Sequence, residues 1–152
     1  YNQRVFEQLT GLSLSFVQDN HSRSSQFILR GIHYQIHQAQ GKLVRVVSGE
    51  VCDVAVDLRR SSPYFGKWVG VRLSDKNLRM LWIPKGFGHA FCVLSKSADF
   101  LYKTTDYYAP DYERCIIWND PDLAIDWPID TMPSLSQKDL QGVKFRDAEV
   151  YD

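Results

Sequence analysis

A sandwich or barrel of antiparallel β-structure with a few short helices is the fold this sequence predicts, and two observations carry the prediction. Apolar and polar residues alternate with period two in several short runs, and turns containing Gly, Pro or Ser separate the runs at close intervals. In chain order, Tyr1 to Leu9 predicts a short helix with Val5, Phe6 and Leu9 on one face and Gly11 as its stop. Leu12, Leu14 and Phe16 then alternate with Ser13, Ser15 and Val17, which predicts a half-buried strand. The same pattern returns in Leu43 to Val47 and in Cys52, Val54, Val56 and Leu58. Ser48-Gly49 between two such runs predicts a hairpin turn, Ser61-Ser62-Pro63 a loop, and Pro84 to Gly88 a sharp reversal. Trp68 to Leu73, Leu78 to Ile83, Ala90 to Leu94 and Phe100 to Thr105 supply further short strands. Beyond Pro110 the pattern weakens into turns with aromatic anchors, at Trp118 to Pro121 and Asp126 to Pro128, and one helical turn at Ser136 to Leu140. Without an internal repeat or linker, residues 1–152 are expected to form a single domain.

Composition narrows the function. A chain of 152 residues buries a core without metal or disulfide staples. Lys plus Arg equals Asp plus Glu at 18 each, so clustered positive charge for nucleic acid or an anionic membrane is not favoured, and a small-molecule partner is expected. Cys52, Cys92 and Cys115 are odd in number, far apart and form no Cys-x-x-Cys pair, which argues against a disulfide framework or structural zinc and for a reducing cytoplasm. No basic-then-apolar leader opens the chain and its longest apolar runs are strand-sized, so a soluble protein is expected.

The stretch from Leu29 to Asp57 holds the most chemical information. His33 lies in Leu29-Arg30-Gly31-Ile32-His33-Tyr34-Gln35 and Lys42 in Gln40-Gly41-Lys42-Leu43. A hairpin closing over Ile36 to Gly41 is expected to set the two opposite each other at ~5 Å between β-carbons. A base beside a cation suits removal of a proton next to a carbonyl, since the cation steadies the enolate oxygen that forms, and this points to an isomerase-type reaction. Metal ligation is the weaker use of these histidines. His33 and His37 share a strand face but sit about 13 Å apart, and Gln35 stands where a second ligand would be needed.

Several other residues stay open on pattern alone. Tyr102, on one face with Phe100 and Thr104, either fills the interior or supplies a proton opposite the base. Asp139 in Ser136-Gln137-Lys138-Asp139 fits a capping box as well as it fits a role in chemistry. His89 and the pair Tyr107-Tyr108 lie at strand ends where ligand contacts gather, and Arg59-Arg60 reads as a solvated loop.

Taken together, Phe16 to Ser22, Leu29 to Gln35, Gln40 to Arg45, Gly49-Glu50-Val51 with Asp53 to Asp57, Phe65 to Val71, Leu81 to Pro84, Phe100 to Lys103, Tyr107 to Pro110 and Leu135 to Asp139 resemble the dTDP-4-dehydrorhamnose 3,5-epimerase family. The resemblance implies a jelly-roll β-barrel of the cupin type that needs no metal or other cofactor. It also implies a homodimer that acts on a dTDP-4-keto-6-deoxy sugar in the route to dTDP-L-rhamnose for bacterial surface polysaccharides. Carried over by position, the family's base falls on His33, its partner carboxylate on Asp139, the enolate-stabilising lysine on Lys42 and the proton-donating tyrosine on Tyr102. Its nucleotide and sugar contacts fall on Gln18, Asn20, Arg30, His89, Glu113 and Lys138, with Tyr108 stacking on the thymine. Two departures stand out. The family's N-terminal strands are expected to be missing ahead of Tyr1, and His89 follows Gly88 and precedes Ala90, where the family usually has alanine before and glycine after. Gly88 is expected to loosen the backbone that aims His89. The alternatives are an epimerase inverting only C3 or only C5, a non-catalytic sugar-nucleotide-binding cupin, and a metal-dependent cupin oxygenase.

Overall fold

Nine strands divide between two antiparallel sheets in the computed structural model, which describes residues 1–152. In chain order they are β1 (Gln18–Ser25), β2 (Leu29–Gln35), β3 (Lys42–Ser48), β4 (Glu50–Asp57), β5 (Trp68–Ser74), β6 (Met80–Ile83), β7 (Phe87–Val93), β8 (Ser97–Thr104) and β9 (Glu113–Cys115). One sheet runs β1-β8-β3-β6 and the other β5-β4-β7-β2-β9. Only the β4–β5 connection stays within a sheet. Every other one crosses between the two, which makes the fold a jelly roll of the expected β class.

That crossing corrects two expected turns. Ser48-Gly49 is a corner that carries the chain from one sheet to the other, and Pro84 to Gly88 is a second such corner. Gly49 has φ of 82° and a Cβ there would meet the Ser97 carbonyl oxygen at 2.1 Å, so the corner needs glycine on both counts.

Two apolar clusters explain which strands the pattern described well. Val44, Val46, Val51, Ala55, Leu73, Phe91, Val93 and Phe100 fill the space between the sheets. Leu29, Ile32, Tyr34, Cys52, Val54, Val56 and Cys92 form the outer face of the second sheet, and the C-terminal segment covers them through Leu123, Trp127 and Ala148. The central strands β4 and β7 of the second sheet are therefore buried on both faces. β4 is buried without interruption from Val51 to Asp57 and is not the half-buried strand its alternation suggested.

The N-terminal region departs most from expectation. α1 (Gln3–Thr10) forms, with Asn2 accepting from the Val5 N–H and Gly11 closing it at φ 70°. Of its three apolar residues only Phe6 is buried, against Trp82 at 5.4 Å between ring centroids, while Leu9 remains 81% exposed. Leu12 to Val17 is an irregular connection, and β1 begins only at Gln18. β1 is polar on both faces, with Asn20 and Ser22 toward a cleft, so it carries no apolar alternation to announce it.

Arg59 also departs from the solvated-loop reading. Its guanidinium binds the buried Asp57 carboxylate through Nε at 2.9 Å and a terminal nitrogen at 2.7 Å, and stacks over Phe87.

Candidate active site

A cleft of about 420 Å³ opens at one end of the sandwich, a size suited to a small organic ligand. Asn20, Arg30, His33, Lys42, His89, Tyr102, Tyr108, Glu113 and Lys138 all line it. The other two expected site residues stand one layer back. Gln18 accepts from the Tyr108 N–H at 3.0 Å and donates to Asn20 at 3.1 Å, and Asp139 lies behind His33. His21, Ser22, Phe91 and Ser136 complete the lining.

His33 and Lys42 do not meet across a hairpin. β2 belongs to one sheet and β3 to the other, so the two residues approach the cleft from opposite walls. The changed geometry remains compatible with the expected chemistry, because a base and a cation on opposite walls can engage different atoms of one ligand. A register shift in β2 between Arg30 and His33 brings both of these residues to the cleft although they are three apart. Gly31 occupies the shift with φ of 118°, and a Cβ there would come within 2.5 Å of the Ala90 Cβ.

Asp139 makes the contacts that both of its readings call for. Its Oδ1 lies 2.8 Å from His33 Nε2, an ion-pair contact in which the ring N–H is not aligned on the oxygen, and accepts from the Gly31 N–H at 3.0 Å. Its Oδ2 accepts from the Ser136 N–H at 3.2 Å and hydroxyl at 2.5 Å, closing the capping box of α2 (Gln137–Leu140). Burial alone would raise the Asp139 carboxyl, but the His33 contact and the Ser136 and Gly31 bonds outweigh it and hold the group well below the usual carboxylate range.

The remaining titratable groups differ in environment. Burial pushes Lys42 down to about 8, against the pull of Glu113 and Asp53. Its ammonium stands 5.9 Å from the Tyr102 ring centre. Burial raises the Tyr102 phenol, with Glu113 adding to the rise, so the hydroxyl keeps its proton. Glu113 accepts from the Tyr108 hydroxyl at 2.7 Å and pairs with Lys138, and these contacts lower its carboxyl against burial.

Asp53 is the residue that sequence reasoning missed. It is fully buried on β4 and accepts from His89 Nε2 at 3.0 Å. Burial lowers the His89 pKa, opposed by Asp53 and reinforced by Lys42 and His33. The available signal was parity: Asp53 falls between Val51 and Ala55 on the inward face of β4, where a carboxylate needs a partner. That bond also corrects the expectation for Gly88. His89 is aimed by Asp53, and Gly88 is a packing requirement, since a Cβ there would meet the Ile32 Cγ2 at 2.6 Å and the Leu58 Cδ1 at 3.0 Å.

Donor atoms of His33, Cys115 and Asp139 lie within 4.8 Å of one another. They suit a cation poorly. The Cys115 thiol is pushed up to about 12 by burial, and both Asp139 oxygens already accept hydrogen bonds from Gly31 and Ser136.

Comparison with known proteins gives one consistent answer. The sequence profile of the dTDP-4-dehydrorhamnose 3,5-epimerase family matches residues 1–147. A dTDP-4-dehydrorhamnose 3,5-epimerase of Pseudomonas aeruginosa is 65% identical over 151 residues, spanning 99% of this chain and 83% of that protein. Among solved structures, a dTDP-6-deoxy-D-glucose-3,5-epimerase from Legionella pneumophila in complex with dTDP-4-keto-L-rhamnose superposes with a TM-score of 0.95 at 54% identity, covering 98% of this chain and 79% of that one. A 3'-monoepimerase from Streptomyces bikiniensis in complex with dTDP-quinovose superposes with a TM-score of 0.90 at 35% identity, covering 96% and 74%. With the profile match spanning nearly every residue and the fold and sequence agreeing, the chain belongs to the dTDP-4-dehydrorhamnose 3,5-epimerase family.

Proposed function

We propose that the chain converts dTDP-4-dehydro-6-deoxy-D-glucose to dTDP-4-dehydro-L-rhamnose by inverting C3 and C5 next to the C4 ketone, with His33 as base, Lys42 as enolate clamp and Tyr102 as proton donor. The observation that carries this reading is the convergence of those three side chains on one cleft from β2, β3 and β8, with Asp139 against the imidazole. The ketone acidifies the hydrogens on both neighbouring carbons, so one base and one clamp serve two successive inversions. His33 takes the carbon-bound proton, and Asp139 stabilises the imidazolium that results. The Lys42 ammonium stabilises the enolate oxygen. Tyr102, protonated through burial, returns a proton to C5 from the opposite face, and water serves C3. General acid–base transfer contributes about 10²–10⁴-fold and an enolate-stabilising donor about 10²–10³-fold, so the residues must act as a set to reach an enzymatic rate.

Tyr108, Lys138, Glu113, Asn20, Gln18, Arg30 and His89 are assigned to the nucleotide and sugar. Asn20 supports this with a buried amide nitrogen that no protein acceptor meets, and Lys138 and Arg30 with positive charge for the diphosphate. The reading extends to one domain over residues 1–152, working as a homodimer in the cytoplasm without metal or nicotinamide. Three free thiols at Cys52, Cys92 and Cys115 support a reducing compartment, and no helix is long and apolar enough to cross a membrane.

Proton NMR of dTDP-4-keto-6-deoxyglucose incubated in deuterated water with the protein tests the function. Deuterium entering C3 and C5 with formation of the L-rhamno product is expected, before and after treatment with a chelator. Uptake at a single carbon would favour the second reading, inversion of C3 or C5 alone, which the likeness to a 3'-monoepimerase keeps in view. No uptake would leave a sugar-nucleotide-binding protein.

A further inference from the structure

We infer that Gln35 is a positioning residue that sets the pose of the Tyr108 platform, through amide hydrogen bonds to the backbone on either side of Tyr108. The inference rests on the proposed role of Tyr108 as the surface on which the base stacks. Gln35 is 5% exposed and sits two residues beyond His33 on β2, so the period of the strand turns both toward the cleft side. Its amide is fully committed to the neighbouring loops. Oε1 accepts from the Ala109 N–H at 3.0 Å, and Nε2 donates to the Tyr107 carbonyl at 3.3 Å and the Gln38 carbonyl at 2.8 Å. Its own carbonyl accepts from the Tyr151 hydroxyl at 2.5 Å, which ties this end of β2 to the C-terminal segment.

The loop is held by polar contacts, and the Tyr108 ring itself by its hydroxyl bond to Glu113 at 2.7 Å. Tyr107 and Tyr108 are 62% and 52% exposed, so packing does not fix the segment. Gln18 accepts from the intervening Tyr108 N–H, so two glutamines from β1 and β2 bind three consecutive residues, 107 to 109, by their backbone alone. Such a tether places the Tyr108 backbone without touching the ligand, and so sets the point from which the ring reaches Glu113. A base stacked on a ring that is free to swing loses affinity through the entropy of ordering it at each binding event. One strand therefore carries the proposed base at His33 and, one step along the same face, the support of the nucleotide platform. The consequence is that Gln35 acts on substrate affinity and not on the chemical step.

Gln35→Met keeps the length of the side chain and removes the three amide bonds. The expected result is a rise of about 10-fold in KM for the dTDP-sugar and in Kd for dTDP, with kcat within about twofold and an unaltered pH profile. Gln35→Glu keeps the acceptor for Ala109 and sets a carboxylate oxygen against two carbonyls, and the same split is expected from it; it serves if the Met variant does not fold. Both are repeated in a Tyr108→Ala background, where a residue acting through Tyr108 has nothing further to lose. There Gln35→Met is expected to raise KM by less than about twofold. An equal factor in both backgrounds, or a fall in kcat at unchanged KM, overturns the inference. If Tyr108→Ala by itself leaves KM and the dTDP Kd unchanged, the platform role of Tyr108 is wrong and the inference falls with it. That result is distinct from a Gln35 failure, in which Tyr108→Ala weakens binding and Gln35→Met does not.

Discussion

The carboxylate of Asp139 faces His33 with one oxygen, at 2.8 Å, and begins helix α2 with the other, through Ser136. The position of the imidazole partner is thus tied to the start of a helix, and Lys138 on the same short helix reaches Glu113 on β9. A residue proposed for the chemistry and one proposed for ligand binding thus share one small scaffold.

An Asp139→Asn change should therefore move two readouts together. An amide has one acceptor and one donor end, so it cannot both face the imidazole and accept from Ser136 and Gly31. Turnover should fall by about 10⁴-fold, the scale seen when an imidazole loses its carboxylate in a serine protease. Unfolding should become easier by about 0.5–2 kcal/mol through the lost cap. Ser136→Ala separates the two, lowering the melting temperature while leaving turnover close to wild type. Wild-type turnover in the Asn variant would remove Asp139 from the mechanism. The folded carboxyl is held below its unfolded value by His33, Ser136 and Gly31, so its stabilisation is complete above the unfolded pKa and is lost as the pH falls through the folded one. Acid unfolding curves should accordingly converge for wild type and the Asn variant at the acid end.

Lys42 is expected to set the alkaline limit of the rate. Burial lowers it to about 8, so its ammonium is present below that pH and disappears above it. The ratio kcat/KM should fall on the alkaline side with an apparent pKa of about 8. Arg remains charged throughout this range, so Lys42→Arg should lose that limb whatever its absolute rate. An unchanged limb in the Arg variant assigns it to another group.

Replacing Tyr102 by Phe removes only a hydroxyl from a ring packed against Phe100. Exchange of substrate hydrogens with deuterated water should continue, because His33 and Lys42 remain. Formation of the doubly inverted sugar should collapse, because delivery to C5 from the far face is lost. An undiminished yield of that sugar would assign the acid elsewhere.

Gly88→Ala should destabilise the protein by about 1–3 kcal/mol, since the new methyl meets Ile32 and Leu58 at 2.6 and 3.0 Å in a core that has little room to yield. Activity per folded molecule should change little because Asp53 still holds His89. Equal denaturation midpoints for the two proteins would show that both neighbours move aside.

What the sequence determined by itself was the β class and most of the strands, while the residues that line the cleft were named through the family resemblance. Leu43 to Val47 and Phe100 to Thr105 were legible because each is apolar toward an inner cluster and polar or partly exposed on the other face, the one condition that period-two alternation reports. His33, Lys42, Tyr102 and Asp139 were legible from their motif context, which depends on local order along the chain. β1 was not, since a strand with a polar cleft on one side and solvent on the other leaves no apolar signature. The assignment of strands to sheets was invisible for a related reason. Ser48-Gly49 looks locally like a hairpin, and only the packing of β3 and β4 into opposite sheets makes it a corner. Tertiary structure alone decided that His33 and Lys42 face each other across the interior, that one carboxylate serves both His33 and Ser136, and that the unremarked Asp53 aims His89. Each of these brings together elements that meet only in the folded chain. Local propensity says nothing of such pairs, which form when two covered faces close and a buried polar group must find its partner.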